Sequence, residues 1–474
     1  MKRSLLFTSA LALSGALLLA GCTADAGAET DAGDEIVASS ADVFSGDLAP
    51  DAVLADNADA TVVRDDEWSA SDAVDVELSG SGASEAEGVT VDGSTVTISE
   101  AGVYRLSGSF DGGVVVAAPD DALVVLILDG VDISNDAGAA IAVQSADDVA
   151  IFLEEGSDNT FSDAGSYTAE ADANAAIWAD TDLTISGTGS LTVTGNGNDG
   201  ISSTDDLAIL SGEIAVTAAD DALRGKDSLV VEGGSLDLTA TGGDGLKSDG
   251  TENSGTASDQ EDDPTKGYVA VSGGTVEISA GDDGVQAWTD VVITGGTIGV
   301  DVADDGIKGE TIVSVGGGEV VVTRSTEAME AANIGVFAGT IDLTASDDGI
   351  NGSGLNTGQD READTGERVE ISGGAVTIAA GKDGIDSNGS VTVSGGTVVI
   401  TSAANGGDGP IDANGELSVA DGAVTANGSP WDESMATGMG GPGMGGGPGG
   451  GQVPGGGQVP GGQGSGQMPG QPQG

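Results

Sequence analysis

Val291-Val292-Ile293-Thr294-Gly295-Gly296-Thr297-Ile298-Gly299-Val300-Asp301-Val302-Ala303-Asp304-Asp305-Gly306-Ile307-Lys308-Gly309 contains one whole structural unit. It reads as three short strands separated by two glycine corners. β-Branched residues between glycines favour strands. A unit this short cannot bury its own apolar side, so it must stack on copies of itself.

The copies are present. Gly273, Gly295, Gly317 and Gly339 recur every 22 residues, and Gly373 and Gly395 resume the same spacing. A second corner repeats as Asp282-Asp283-Gly284-Val285, Asp304-Asp305-Gly306-Ile307 and Asp347-Asp348-Gly349-Ile350. Lys382-Asp383-Gly384-Ile385 continues it, and Ser325 to Met329 fills one gap in degenerate form. Earlier copies are Asn198-Asp199-Gly200-Ile201, Asp220-Asp221-Ala222-Leu223 and Gly243-Asp244-Gly245-Leu246. Hairpin-built sandwiches or barrels would not keep glycines in this register. The expected fold is all-β: a parallel β-helix with coils of about 22 residues, right-handed by the general rule for parallel connections.

Residues 73–430 are assigned to this solenoid. The segment from Val74 to about Asp163 is less regular and reads as first coils plus an N-terminal cap. Two polar insertions break the period. Residues 249–267 carry Asp259, Glu261, Asp262 and Asp263, and residues 353–367 carry Asp360, Glu362 and Asp364. Both leave just after the same kind of turn, so both loops should emerge near one corner. Loops grouped on a rigid scaffold often carry binding.

The ends differ in kind. Lys2 and Arg3 precede an apolar run that closes on Leu19-Ala20-Gly21-Cys22. This resembles a bacterial lipoprotein signal peptide over residues 1–22, with cleavage before Cys22 and lipid on its sulfur. The run is too short and wrongly flanked for a lasting membrane span. The expected location is the outer face of the cell membrane, lipid-anchored. Residues 23–72 read as an acidic disordered tether. Residues 431–474, rich in Gly, Pro, Gln and Met, read as a disordered tail. Cys22 is the single cysteine, so the mature fold has no intrachain disulfide and no thiolate metal site.

Acidic residues number 79 against 13 basic ones, a formal charge of −66. Phosphate binding needs a basic surface, so nucleic acid is excluded as a partner. A monomer is expected. In a parallel solenoid, equivalent residues of successive coils lie about 4.8 Å apart. Stacked carboxylates at that spacing repel by roughly 3–4 kcal/mol at an effective dielectric of 20, and about 1 kcal/mol in water. Asp220, Asp221, Asp244, Asp282, Asp283, Asp304, Asp305, Asp347, Asp348 and Asp383 are the candidate metal ligands. Calcium is the expected ion, since it takes six to eight oxygen ligands in flexible geometry. Histidine is absent, which argues against zinc, copper and haem. Asp-Gly is also ordinary turn chemistry, and Asp caps its own turn. Here the second aspartate of each pair exceeds what a turn requires.

Basic residues are scarce, yet Arg224, Lys226, Lys247, Lys308 and Lys382 all sit in or just after these turns. Each can be a local salt bridge, and together they can meet an acidic ligand. Gln286 and Trp288 follow the 282–284 turn. That indole can stack on a sugar ring or fill a corner of the coil. The candidate carbohydrate-binding residues are therefore Arg224, Lys247, Gln286, Trp288 and Lys308.

From Val74 to Ser429 the chain resembles a known family. The residues that carry the resemblance are Ala101-Gly102-Val103-Tyr104-Arg105-Leu106-Ser107-Gly108, the serial Ser-Gly-Gly and Asp-Asp-Gly-Ile turns, and Gly407-Asp408-Gly409-Pro410-Ile411-Asp412-Ala413-Asn414-Gly415. Thr326-Glu327-Ala328-Met329-Glu330 is similar to a Tyr-Glu-Gly-Leu/Ile-Glu copy, here without the Tyr and the Gly. The family is that of bacterial carbohydrate-binding, calcium-binding, polysaccharide-lyase-like β-helices, which includes clostridial surface proteins that bind cellulose and polygalacturonic acid. The resemblance implies a calcium-dependent polysaccharide-binding protein rather than an enzyme. Two alternatives stand beside it. One is a pectate-lyase-like enzyme with Lys247 or Lys308 as base. The other is an adhesin or spacer with no defined ligand.

Overall fold

The computed structural model describes residues 45–437, apart from 81, 169–170, 251–262, 355–362 and 405–407. The signal peptide, Cys22, the tether up to residue 44 and the tail from residue 438 lie outside the described residues. So do Asp259, Glu261, Asp262, Asp360, Glu362 and Gly407.

The chain is a parallel β-helix. In the coil quoted above the three strands are Asp290–Ile293, Thr297–Val302 and Ile307–Gly309. They lie on what we call the first, second and third faces. Asp290–Ile293 pairs in parallel with Tyr268–Val271 before it and Ile312–Val315 after it. Thr297–Val302 pairs with Thr275–Ala280 and Glu319–Arg324, and Ile307–Gly309 with Val285–Ala287 and Met329–Ala331. Backbone groups are thus satisfied between coils, and side chains alternate inward and outward.

Inward positions form one continuous core. Val291, Ile293, Ile298, Val300, Val302 and Ile307 are all buried in it, as are their counterparts above and below. Few rings are needed because most coils contribute small side chains, chiefly Val, Ile, Leu and Ala, while Tyr104, Phe110 and Phe161 lie in the first coils. The corner between first and second faces turns on glycines in the left-handed region: Gly274, Gly296, Gly318, Gly374 and Gly396 have φ between +79° and +84°. An antiparallel hairpin, Val89–Asp92 with Thr95–Ile98, joins the first coils at the amino-terminal end.

Residues 45–72 depart from the expected tether. They form a strap along the outside of the first face. Pro50–Asp56 is a short helix, opened by a proline whose fixed φ suits a first turn. Leu48 and Val53 are buried against Val292 and Ile312. The strap runs against the order of the coils. Arg368 donates to the Gly46 carbonyl (2.8 Å), Ser314 to that of Leu48 (2.6 Å) and the Tyr268 hydroxyl to that of Ala58 (2.9 Å). The Thr61 N–H then donates to Asp206 and the Val63 N–H to Thr184 Oγ1. Trp68 closes the run edge-on to Phe152. The outward column beneath is Thr184, Ala208, Val230, Ala270, Val292, Ser314 and Gly335. It is small or apolar throughout, and a methyl at Gly335 would lie 2.9 Å from Leu48 Cβ. Such a strand glycine marks a close approach.

The carboxyl-terminal boundary also shifts. Ala436–Thr437 pairs with Ile411–Asp412, and Trp431 and Met435 pack on the core. Residues 431–437 therefore belong to the last coil rather than to the tail, because these two side chains cover its open end.

Candidate functional site

The corner between second and third faces carries the Asp-Asp-Gly turns. The two aspartates of a pair differ in role. The second is buried: Asp199, Asp221, Asp244, Asp283, Asp305, Asp348 and Asp383 are all 8% exposed or less. The first is more open, with Asp282 and Asp304 exposed and Asp220 and Asp347 half-buried.

The buried aspartates form a hydrogen-bonded column. Asp221 Oδ1 accepts from the Asp244 N–H, Asp244 Oδ1 from the Asp283 N–H, and Asp283 Oδ1 from the Asp305 N–H, each at 2.8 Å. Asp305 Oδ1 accepts from the Glu327 N–H at 3.3 Å, Asp348 Oδ1 from the Asp383 N–H at 2.8 Å and Asp383 Oδ1 from the Gly409 N–H at 2.6 Å. The second aspartate therefore does structural service. It splices its coil to the next, a role beyond the turn itself. One oxygen is spent on the splice and the other remains for a counter-ion.

Carboxylates from adjacent coils converge. Asp199 with Asp220 and Asp221, Asp244 with Asp282 and Asp283, Asp283 with Asp304 and Asp305, and Asp305 with Glu327 and Glu330 each bring three oxygens within 4.8 Å of one another. Such groups of buried acidic residues can hold a metal ion. Of the ten expected ligands, seven fall in these groups. Asp347, Asp348 and Asp383 join none among the described residues. Asp347 instead pairs with Lys382. Asp199, Glu327 and Glu330 were not among the expected ligands, although Asn198-Asp199-Gly200 and Thr326-Glu327 stand in phase with the repeat.

Electrostatics follow from burial. Desolvation, with neighbouring aspartates, pushes Asp199 up to about 8 and Asp283 up to about 7. Asp221 rises to about 6 by the same burial, against the pull of Lys247. Burial, and then the repulsion of Asp348 and Asp412, lifts Asp386 to about 7.

The outward column of the third face passes beside these groups. Its order is Ser202, Arg224, Lys247, Gln286, Lys308, Glu330, Asn351 and Asp386. Arg224, Lys247, Gln286 and Lys308 are thus brought together. Lys247 Nζ lies 2.9 Å from Asp244 and 3.5 Å from Asp221. Lys308 Nζ lies 2.7 Å from Asp305 and 3.3 Å from Glu330. Arg224 pairs with Asp249 and lies 3.7 Å from Asp199. Burial alone would favour the neutral amines of both lysines, yet the facing carboxylates hold both well above the ordinary lysine value. Trp288 is apart from the column. It sits at the next corner, wedged against Gly250 and Gly267, where the 249–267 insertion begins and ends. There it is half-buried, with part of the indole open to solvent.

Comparison with known proteins adds the family. A family model described as carbohydrate-binding domain-containing protein matches residues 92–349 and 303–436. A protein of the same description from Acetivibrio thermocellus is 35% identical over 137 residues, 28% of this chain and 48% of the relative. The chain thus matches about half the length of that relative. A solved structure described as the polysaccharide lyase-like protein from C. thermocellum, in a gadolinium derivative, shares 35% identity, with a TM-score of 0.47 over 51% of this chain and 96% of that one. The family match spans the coils, the aspartate column and the final turn alike, and the chain belongs to the carbohydrate-binding domain-containing family.

Proposed function

We propose that this protein is a calcium-dependent polysaccharide-binding lipoprotein of the outer cell surface, with acidic or plant-type chains such as polygalacturonate or cellulose as ligands. The observation that carries this is the meeting of two columns: inter-coil carboxylate groups beside a third face bearing Arg224, Lys247, Gln286 and Lys308. The donors are all oxygen, which suits calcium. Asp244 Oδ2 is buried and lies 2.9 Å from the Lys247 amine. Asp199, Asp220, Asp221, Asp244, Asp282, Asp283, Asp304, Asp305, Glu327 and Glu330 would hold the ions. Bound calcium would neutralise the column and bridge it to uronate carboxylates. The lysines and Arg224 would take further acidic groups.

Binding is favoured over lyase chemistry by the state of the lysines. A general base must be neutral and within reach of the proton it takes. Without an ion, Lys247 and Lys308 are each held charged between two carboxylates.

Mixing the protein with polygalacturonate and calcium is expected to give co-sedimentation, abolished by EDTA, without unsaturated products in ultraviolet absorbance. Product formation would overturn the binding-only reading, and failure to retain any polysaccharide would remove both sugar readings. For the anchor, Cys22→Ser is expected to move the protein from the membrane fraction to the soluble one. Unchanged fractionation would sink the lipoprotein assignment.

A further inference from the structure

Among the polar contacts that fasten the strap, one is a buried pair of side chains that the carbohydrate site does not use. Asn57, just after the strap helix, donates through Nδ2 to Asp290 Oδ2 at 3.0 Å and to the Val53 carbonyl at 3.2 Å. Asn57 is 9% exposed and Asp290 6%. The remaining oxygens, Asn57 Oδ1 and Asp290 Oδ1, are both buried without a hydrogen-bond partner. Asn57 Oδ1 without a donor is costly in such a place, and the Asp290 carboxylate is served besides Asn57 by the Ile312 N–H. Turning the Asn57 amide over would give up the bond to the Val53 carbonyl and set the amide oxygen against Asp290 Oδ2.

One proton completes the arrangement. On Asp290 Oδ1 it makes an O–H that can donate to Asn57 Oδ1, while Nδ2 goes on donating to Oδ2. The amide and the acid then form a closed pair with neither oxygen orphaned. We propose that Asn57 and Asp290 are a proton-operated latch that seats the amino-terminal strap on the first face.

The surroundings favour a proton there. Burial is the main influence on Asp290 and raises it to about 6. Asp56 on the strap helix adds repulsion, while Asn57 and the Ile312 N–H of the next coil favour the ionised form. No lysine or arginine acts on it among the described residues. With the strap lifted, Asp290 faces water and returns toward the ordinary aspartate range. The seated form therefore binds the proton more tightly. Seating is strongest below the ordinary value, weakens as pH climbs to about 6 and stays weak above it. Each unit of difference is tenfold in the opening equilibrium.

The test is hydrogen exchange of residues 50–57 in the full chain, corrected for intrinsic rates. Core strand Thr297–Val302 supplies the global-unfolding baseline. Strap opening relative to that baseline is expected to rise roughly 10- to 100-fold from pH 4 to pH 7. Asp290→Asn supplies a permanent donor to Asn57 Oδ1 and is expected to hold the strap closed with a flat profile. A flat wild-type profile would overturn the latch, and is what a bridging water or cation would give. Persistence of the pH dependence in Asp290→Asn would overturn it too, and the wild-type measurement stands even if the variant folds poorly.

Discussion

Calcium added to the metal-free protein at pH 8 is expected to raise its melting temperature by several degrees per occupied site, whereas the same addition at pH 5 does little. Buried carboxyls of the column sit above their ordinary values: Asp199 and Glu327 at about 8, Asp283 and Asp383 at about 7, Asp221 and Asp305 at about 6. Burial is the first cause for each. A folded value above the unfolded one means that the folded state binds the proton more tightly. The metal-free protein is then most stable near pH 4 and loses stability as pH rises toward 8. Calcium needs the ionised form, so protons displace it at pH 5. A site at a hundred times its dissociation constant contributes about 2.7 kcal/mol, or roughly 3 °C in a chain of this size.

Calorimetry with and without EDTA at both values measures this directly. Lys308→Gln sharpens it. Lys308 is a tethered counter-ion between Asp305 and Glu330. Its removal is expected to lower the metal-free midpoint at pH 8 and enlarge the rise that calcium gives. An unchanged midpoint in both proteins would mean that lysines, Arg224 and protons alone neutralise the column.

The coil was legible because its rules are local: glycine corners at constant spacing and alternating branched residues. The aspartate pairs were legible as a repeat but not as two roles. What separates Asp304 from Asp305 is a hydrogen bond to the neighbouring coil, 22 residues away. Insertions hid the third-face column as well. Lys247 and Gln286 are strand neighbours although 39 residues apart, because the 249–267 loop intervenes. The strap was harder still. Its anchors are a few apolar residues, such as Leu48, Val53 and Val63, in a stretch rich in Ala and Asp. They make sense only beside a column assembled from several coils. Gly335 carries the matching signal, but a lone strand glycine does not name its partner.

Glycine in the Asp-Asp-Gly turn shows the same difference between local and stacked reasoning, and it sets the other large effect. A turn glycine suggests a left-handed backbone, yet Gly284 and Gly306 are absent from the positive-φ set among the described residues. They are needed for space. A methyl at Gly306 would lie 2.5 Å from the Ala328 carbonyl oxygen and 2.9 Å from Val322 Cγ1. That carbonyl accepts from the Ile307 N–H at 3.2 Å, so it cannot retreat without parting two coils. Overpacking of this kind costs about 1–3 kcal/mol, occasionally more. Loss of backbone freedom in the unfolded chain returns only about 0.4–1 kcal/mol. The clash wins because its partner is backbone rather than a side-chain tip. Gly306→Ala is therefore expected to destabilise by about 2 kcal/mol or more in urea titrations. Gly165→Ala, where a methyl meets nothing within 4 Å, should stay within about 0.5 kcal/mol. Equal midpoints for the two variants would show that the coil spacing has slack at this corner. The carboxylate groups could then spread apart, and the column's need for a cation would weaken with them.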